Sequence, residues 1–210
     1  MKYEWKKIDK QLYLPDETPV IVEVPKMKYF VIDGKGNPNT SLQFQEDLQA
    51  LYSVSYGVKM FPKSGVVPEN YYEYTVFPLE GIWDMGSKPE DLSNLNKEDF
   101  IYSLMIRQPD FVNDKLASEV IEKSKQRKKL KALDKIRFVE IEDGLCVQML
   151  HLGSYDDELK SFVKMNEFCL KNDLKRKGHN HREIYLSDPR RVEVSKLRTV
   201  LRMFVERSNN

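Results

Sequence analysis

Runs of apolar residues predict one strand, one helix and two further strands in the first half of the chain. Residues 27–32 are continuously apolar apart from Lys28 and end at a Gly-Lys-Gly turn, a pattern typical of a buried strand. Apolar residues then recur at helical spacing over 42–54, after a segment rich in capping residues. The segments 71–77 and 100–107 are rich in Tyr, Phe, Ile, Thr and Val, which favour strands.

The second half repeats this order of elements. Asp143 and Gly144 form a typical hairpin turn between two strand-like segments. The last apolar segment alternates at close to a period of two, which indicates a strand with one polar face. The predicted elements are strands over 135–142 and 145–152, a helix over 155–174, and strands over 182–186 and 196–205.

The repeated order predicts an α+β fold. We expect a pseudo-two-fold pair of strand-helix-strand-strand units with mainly antiparallel sheets. Repeat 1 would span about residues 20–112 and repeat 2 about 135–206, joined by a helical connector over 113–134. One helix can cover only one face of its sheet, so the other face is covered by the partner unit or left open. A ligand cleft between the units is therefore expected, as a site for a small molecule.

Charge does not favour nucleic acid as a partner. The 210 residues include 34 Lys and Arg against 33 Asp and Glu, so the chain has no general attraction to polyanions. The connector does hold six Lys and Arg between Lys123 and Lys131, which would suit a nucleic-acid contact. Because Glu119 and Glu122 lie at helical spacing from this run, and no recognition module accompanies it, we favour a solvated helix face and expect no direct nucleic-acid binding.

Neither a membrane span nor a secretory signal is predicted. No stretch approaches the roughly 20 apolar residues that a membrane span needs, and the first residues lack a continuous apolar core. The two cysteines, Cys146 and Cys169, both lie in apolar surroundings, which is typical of free thiols in a core. We therefore expect a cytoplasmic protein without a disulfide.

The most informative segment for chemistry is 179–189. Alternation along a strand places His181, Glu183 and Tyr185 on one face and Ile184 and Leu186 on the other. If the apolar pair packs on the helix, Glu183 faces the cleft, where it could accept a proton, steady a cationic ligand or activate water. The alternative is an exposed glutamate paired with a nearby arginine, and spacing alone leaves both open.

A metal triad of His179, His181 and Glu183 is a further alternative. Two observations argue against it: His179 follows Gly178 in a basic loop, and strand residues two apart are about 6.5–7 Å apart at the backbone. The basic residues 175–177 would also repel a cation. We expect no metal and no other cofactor, and no nucleophile or phosphate-loop motif is present.

Tyrosine and tryptophan are the best candidates for lining a ligand pocket, because each carries a polar atom on a flat ring. Trp83 follows a glycine turn and precedes Asp84, which suggests the rim of a pocket, although a core position is the alternative. The predicted ligand-binding residues are Trp83, Tyr71, Tyr185, Tyr102, Phe111 and Tyr155, with Glu183 as the catalytic candidate.

Five ordered stretches resemble the GyrI-like small-molecule-binding family, in its stand-alone branch. They are FVIDGKGNP at 30–38, PLEGIW at 78–83, IRQPDF at 106–111, HLGSYDDE at 151–158 and EIYLSDPR at 183–190. The resemblance extends over about residues 3–205. It implies two related units with a ligand cleft between them and places Glu183 in the pocket among aromatic rings.

The resemblance also implies two candidate functions. Some stand-alone relatives are similar to hydrolases that open the cyclopropane of DNA-alkylating natural products, with Glu183 as general base on water and Tyr71 or Tyr185 as hydrogen-bond donor to the substrate carbonyl. This would be a detoxifying enzyme acting on bulky aromatic or heterocyclic compounds. Relatives joined to DNA-binding modules sense bulky drugs, so the alternative is a non-catalytic module that binds, senses or sequesters such molecules.

Overall fold

The computed structural model describes residues 2–85 and 96–208. Its described strands are β1 (Val20–Val24), β2 (Met27–Lys35), β3 (Leu79–Met85), β4 (Phe100–Gln108), β5 (Arg137–Ile141), β6 (Gly144–Leu152), β7 (Leu174–Tyr185) and β8 (Arg198–Arg207). Its described α-helices are α1 (Trp5–Ile8), α2 (Lys10–Tyr13), α3 (Leu42–Met60), α4 (Asp114–Arg127) and α5 (Leu159–Lys171).

The chain forms two compact units. The first comprises Met1–Glu4, Met27–Phe77 and Trp83–Ile141, and the second comprises Trp5–Lys26, Pro78–Ile82 and Glu142–Asn210. The helix predicted as a connector, α4, therefore belongs to the first unit. β1, which comes first among the strands, belongs to the second.

In the first unit, β2 lies between β4 and β5 and is antiparallel to both. Phe30 is at the centre of this ladder, opposite Ile106 on one side and Phe138 on the other. The long helix α3 packs against β2, β4 and α4. It begins at the predicted place because the Ser41 side chain accepts a hydrogen bond from the backbone N–H of Phe44, which caps the first turn.

Two glycines allow close approaches in this unit. A Cβ on Gly34 would lie 2.3 Å from the ring of Tyr102, and one on Gly57 would lie 2.6 Å from Val120. Gly34 thus makes room for an aromatic side chain on the neighbouring strand β4, and Gly57 lets α3 and α4 pack closely.

The second unit is built on four antiparallel strands in the order β1-β6-β8-β7. Helix α5 packs on β6 and β7. The core beneath it consists of Val147, Met149, Met165, Cys169, Leu174, Leu201, Met203 and Val205. A register shift in the β7–β8 ladder between Arg176 and His181 marks a bulge just before the segment predicted to carry chemistry.

The structure confirms the α+β class and the mainly antiparallel strands. The predicted strand over 71–77 is wrong: this segment has only an isolated bridge between Tyr74 and Tyr3, and the strand lies further along, at β3. The boundaries of the two repeats and the ligand cleft stay predictions. Within the ranges 2–85 and 96–208, no helix is both long and apolar enough to cross a membrane.

Candidate functional site

The candidate site lies on β7, in the second unit. Glu183 pairs with Leu201 of β8, while its neighbour Arg182 pairs with Arg202. Because paired residues point to the same face of a sheet, Glu183 shares the face of Leu201, which packs beneath α5. The alternation expected for this strand is therefore correct. The condition under which Glu183 would face a cleft, that Ile184 and Leu186 pack on the helix, is not met, because Glu183 itself faces the side that carries α5.

Glu183 is held by its two neighbours on the same face of β7. Nε2 of His181 lies 2.9 Å from its Oε1, and the hydroxyl of Tyr185 donates to its Oε2 at 2.8 Å. Phe162 of α5 packs its ring against the imidazole of His181, with centroids 4.7 Å apart at 73°. Glu183 is only 8% exposed, so the alternative of a solvent-exposed strand glutamate does not hold.

A second carboxyl group, that of Glu158, adjoins Glu183. Glu158 directly precedes α5 and is 8% exposed. Burial raises the pKa of Glu158 well above its usual value, and the charges of Glu183 and Asp156 raise it further. The neutral, protonated form of Glu158 is therefore favoured, as expected for two carboxyl groups that share one site.

Two tyrosines complete this part of the second unit. The rings of Tyr155 and Tyr185 meet edge to face, with centroids 5.9 Å apart. Burial, together with the negative charges of Glu183 and Glu158, raises the pKa of Tyr155 to about 12. Three of the predicted site residues, Glu183, Tyr185 and Tyr155, are thus brought together.

A buried histidine fixes the segment that carries Glu158. Nε2 of His151 lies 2.9 Å from the carbonyl oxygen of Ser154, which can only accept, so this nitrogen carries the proton. Its Nδ1 then accepts from the hydroxyl of Ser161, 2.9 Å away. His151 therefore ties the turn before Glu158 to the first turn of α5.

Glu183 and two groups beside it could together hold a metal ion. A carboxylate oxygen of Glu158, a ring nitrogen of His181 and a carboxylate oxygen of Glu183 all lie within 4.8 Å of one another. His179, which belonged to the triad considered from the sequence, is exposed. Glu158 takes its place in the cluster.

The predicted aromatic residues of the first unit form two groups. Trp83 packs against Tyr102, with centroids 5.5 Å apart, and both rings contact Phe44. Tyr71 packs edge to face on Phe111 at 5.2 Å. Tyr102 is fully buried.

The buried position of Tyr102 has a clear structural cause. Its hydroxyl donates to Oδ2 of Asp47 at 3.1 Å, and its ring fills the space above Gly34. Trp83 and Phe111 are each 8% exposed, so Trp83 does not have the open rim position suggested by its place after a turn. Ligand contacts at these four side chains stay predictions.

Two of the cavities among the described residues have linings that do not include Glu183. One of about 310 Å³ is lined by Glu142, Asp143, Lys177, Asn180 and Phe204. The other, of about 230 Å³, lies between α3 and α4 and is lined by Gly57, Met60, Phe61, Lys63, Ser64, Val120, Lys123, Ser124 and Arg127. A ligand pocket beside Glu183 stays a prediction.

Comparison with protein families agrees with the motifs. The model of the GyrI-like small molecule binding domain matches residues 17–205. The chain belongs to the GyrI-like family. We find no match among curated proteins.

Three solved structures from Listeria innocua have the same fold as this GyrI-like chain. A hydrolase is 31% identical with a TM-score of 0.90, and the match covers 98% of this chain and all of that one. An uncharacterized conserved protein is 32% identical, with a TM-score of 0.90 and coverage of 97% and 100%. Another structure of a hydrolase is 29% identical, with a TM-score of 0.88 and the same coverage.

Glu158 was not predicted from the sequence as part of the candidate site. It lies in a run of three acidic residues, Asp156, Asp157 and Glu158, and nothing in their order distinguishes the buried one from the two exposed ones. The one available signal is that Glu158 directly precedes Leu159, the first apolar residue on the face of the predicted helix.

Proposed function

We propose that this GyrI-like domain binds bulky, flat aromatic or heterocyclic molecules and hydrolyses those that contain a cyclopropane, thereby detoxifying DNA-alkylating compounds. The observation that supports this most directly is the Glu183 carboxylate, which is buried, held in place by two neighbours and close to two tyrosine rings. The similarity to two hydrolase structures at about 30% identity favours an enzyme over a passive binder.

Glu183 is proposed as the general base. As the oxygen of a water molecule attacks a cyclopropane carbon, Glu183 takes one proton of the water and the strained C–C bond breaks. The electron pair of that bond moves to the conjugated carbonyl oxygen, which finally receives the proton. The product is the substrate plus one water. Each carboxylate oxygen can accept a second hydrogen bond, so the bonds to His181 and Tyr185 leave acceptor capacity for the water.

The tyrosines have separate proposed roles. The hydroxyl of Tyr185 already donates to Glu183, so we assign it to orienting the base rather than to the substrate carbonyl. The ring of Tyr155 is proposed to contact the flat face of the ligand. Trp83, Tyr71, Tyr102 and Phe111 remain the other predicted ligand contacts.

The test is Glu183→Gln, which keeps the shape of the side chain but removes the base. The protein is incubated with a cyclopropane-bearing alkylating compound, and the water adduct is followed by liquid chromatography and mass spectrometry. Loss of general base catalysis should slow turnover by about 10²–10⁴-fold. Binding of the compound, followed by tyrosine and tryptophan fluorescence, should persist.

The matched control is Glu167→Gln, an exposed glutamate on α5, which should turn over like the unaltered protein. Equal turnover by Glu183→Gln would refute the role of Glu183 as base.

A non-catalytic binding module is the second candidate function. The observation that favours it is the pair of adjoining carboxyl groups, Glu183 and Glu158, beside tyrosine rings, which suits an aromatic cation. In that case no water adduct forms with any compound. Glu183→Gln then weakens the binding of cationic ligands much more than the binding of neutral ligands of the same shape, as measured by fluorescence titration.

A further inference from the structure

We propose that Glu158, His181 and Glu183 form a binding site for one Zn²⁺ ion. The proposal depends on these three side chains alone and not on the proposed hydrolysis, in which Glu183 acts as a base with no ion bound to it. It departs from the expectation of a metal-free site, because that expectation considered His179, whereas the structure supplies Glu158 from a different element.

The separation of the three ligand atoms suits a small ion. Zinc bonds of about 2.0–2.2 Å at tetrahedral angles place neighbouring ligand atoms about 3.3–3.6 Å apart. All three atoms lie within 4.8 Å of one another, and Nε2 of His181 is already 2.9 Å from Oε1 of Glu183. Side-chain rotations that move the ligand atoms by about an ångström are therefore enough to bring the three atoms around one centre, with no movement of β7.

An oxygen of Glu158 is available to an ion. Oε1 of Glu158 is buried and accepts no hydrogen bond from a donor in the described ranges. Its neighbour is the carboxyl group of Glu183, with which the neutral form of Glu158 shares its proton. A cation bound to Oε1 takes the place of that proton between the two carboxyl groups.

The surroundings hold the ligands in place. The hydroxyl of Tyr185 takes Oε2 of Glu183, which leaves Oε1 turned toward His181. The ring of Phe162 packs against the imidazole and restrains its plane. In this structure Nε2 of His181 donates to Oε1 of Glu183; binding of the ion replaces that proton, which leaves Nε2 as the ligand atom and the remaining proton on Nδ1.

The donor set selects the metal. One imidazole and two carboxylates match the nitrogen and oxygen ligands of zinc, and two carboxylates balance its double charge. Calcium takes six to eight oxygen ligands, and magnesium usually binds through carboxylates and several waters, so neither suits a site with an imidazole and two carboxylates. Three protein ligands leave the fourth position of zinc open to water or to an anion.

The experiment measures zinc binding without any small molecule, so its failure is distinct from a failure of the proposed hydrolysis. Metal-free protein is titrated with ZnCl₂ by calorimetry and, in parallel, with CoCl₂ by visible absorption. We expect one ion per chain and a visible absorption spectrum typical of Co²⁺ with a low coordination number. Glu158→Gln and His181→Ala should each raise the Kd by at least about 10-fold, since each removes one of three ligands.

Two matched controls remove a similar side chain outside the cluster. His179→Ala, on the same strand, and Glu167→Gln, on α5, should bind zinc like the unaltered protein. Circular dichroism establishes that each variant is folded. The proposal is overturned if no saturable binding occurs, if Glu158→Gln binds as tightly as the unaltered protein, or if His179→Ala abolishes binding.

Discussion

The second unit depends on a buried charged network on the face of the sheet opposite Glu183. Arg182 donates to both oxygens of Asp143, at 2.7 and 2.6 Å, and to Oε2 of Glu80 at 2.9 Å. Arg202 approaches Asp143 at 3.5 Å and donates to Gln148 and to the backbone of α2. The side chains of Arg182, Glu80 and Asp143 are 0%, 1% and 3% exposed.

We therefore predict that Arg182→Met strongly destabilises the protein. Methionine replaces the long stem of arginine but removes the guanidinium that pairs with both buried carboxylates, Glu80 and Asp143, while Arg202 stays 3.5 Å from Asp143. Breaking a buried ion pair by removing one partner costs about 3–5 kcal/mol, because the other charge remains in a poorly solvated place. For a chain of this size the midpoint of thermal unfolding should fall by about 6–20 °C.

The assay is urea unfolding followed by tryptophan fluorescence, with the free energy extrapolated to water. The control is Arg190→Met, which removes an exposed arginine paired with Asp188 at 2.9 Å and should cost at most about 1 kcal/mol. A double variant, Arg182→Met with Glu80→Gln, should recover part of the loss because it removes one of the uncompensated charges. If Arg182→Met changes the free energy of unfolding by less than about 1 kcal/mol, the network does not stabilise the fold as argued.

Two further predictions concern the core. Burial, with the neighbouring charge of Asp143, raises the pKa of the Cys146 thiol to about 12, so the folded protein should not react with a disulfide reagent at pH 8, whereas both Cys146 and Cys169 should react in denaturant. The pKa of the Cys146 thiol is higher in the folded than in the unfolded protein, so its contribution to stability is full below about pH 9 and is lost as the pH rises toward 12. Alkaline unfolding of Cys146→Ala, compared with the unaltered protein, measures this loss. Rapid labelling of the native thiols would contradict the burial. Gly34→Ala places a Cβ 2.3 Å from the ring of Tyr102 and should cost about 1–3 kcal/mol in urea unfolding, and a neutral result would show that the ring moves freely.

Strand alternation was the most reliable part of the sequence interpretation. It correctly placed His181, Glu183 and Tyr185 on one face of a strand, because side chains alternate whatever packs around them. It could not identify which face α5 covers, since both faces of β7 bury residues. One face packs under a helix and the other buries the charged side chain of Arg182, which in the sequence looks like a solvent-exposed residue.

The incorrect prediction of a strand over 71–77 has a similar origin. Tyrosine, threonine and valine favour strands only when a neighbouring strand is present to pair with them. At Tyr74 the only bridge is to Tyr3, and the aromatic rings instead pack on Phe111. The real strand, β3, begins after Pro78 and contains Glu80 and Gly81, which favour strands weakly. The sheet supplies the backbone hydrogen-bond partners of β3, and the local sequence gives no indication of them.

The site residues that could be predicted from the sequence are those related by local spacing. Glu183 and Tyr185 could be found because they lie two residues apart on one strand, and their relation is local. Glu158 could not, because its burial results from the docking of α5 on β7, which brings it to Glu183 across 25 residues of chain. The proposed chemistry of the site depends on that long-range contact: without an ion Glu183 is the proposed base, and with Glu158 and His181 it forms the proposed set of metal ligands. Zinc titration of Glu158→Gln therefore tests the one feature of the site that only the three-dimensional structure supplies.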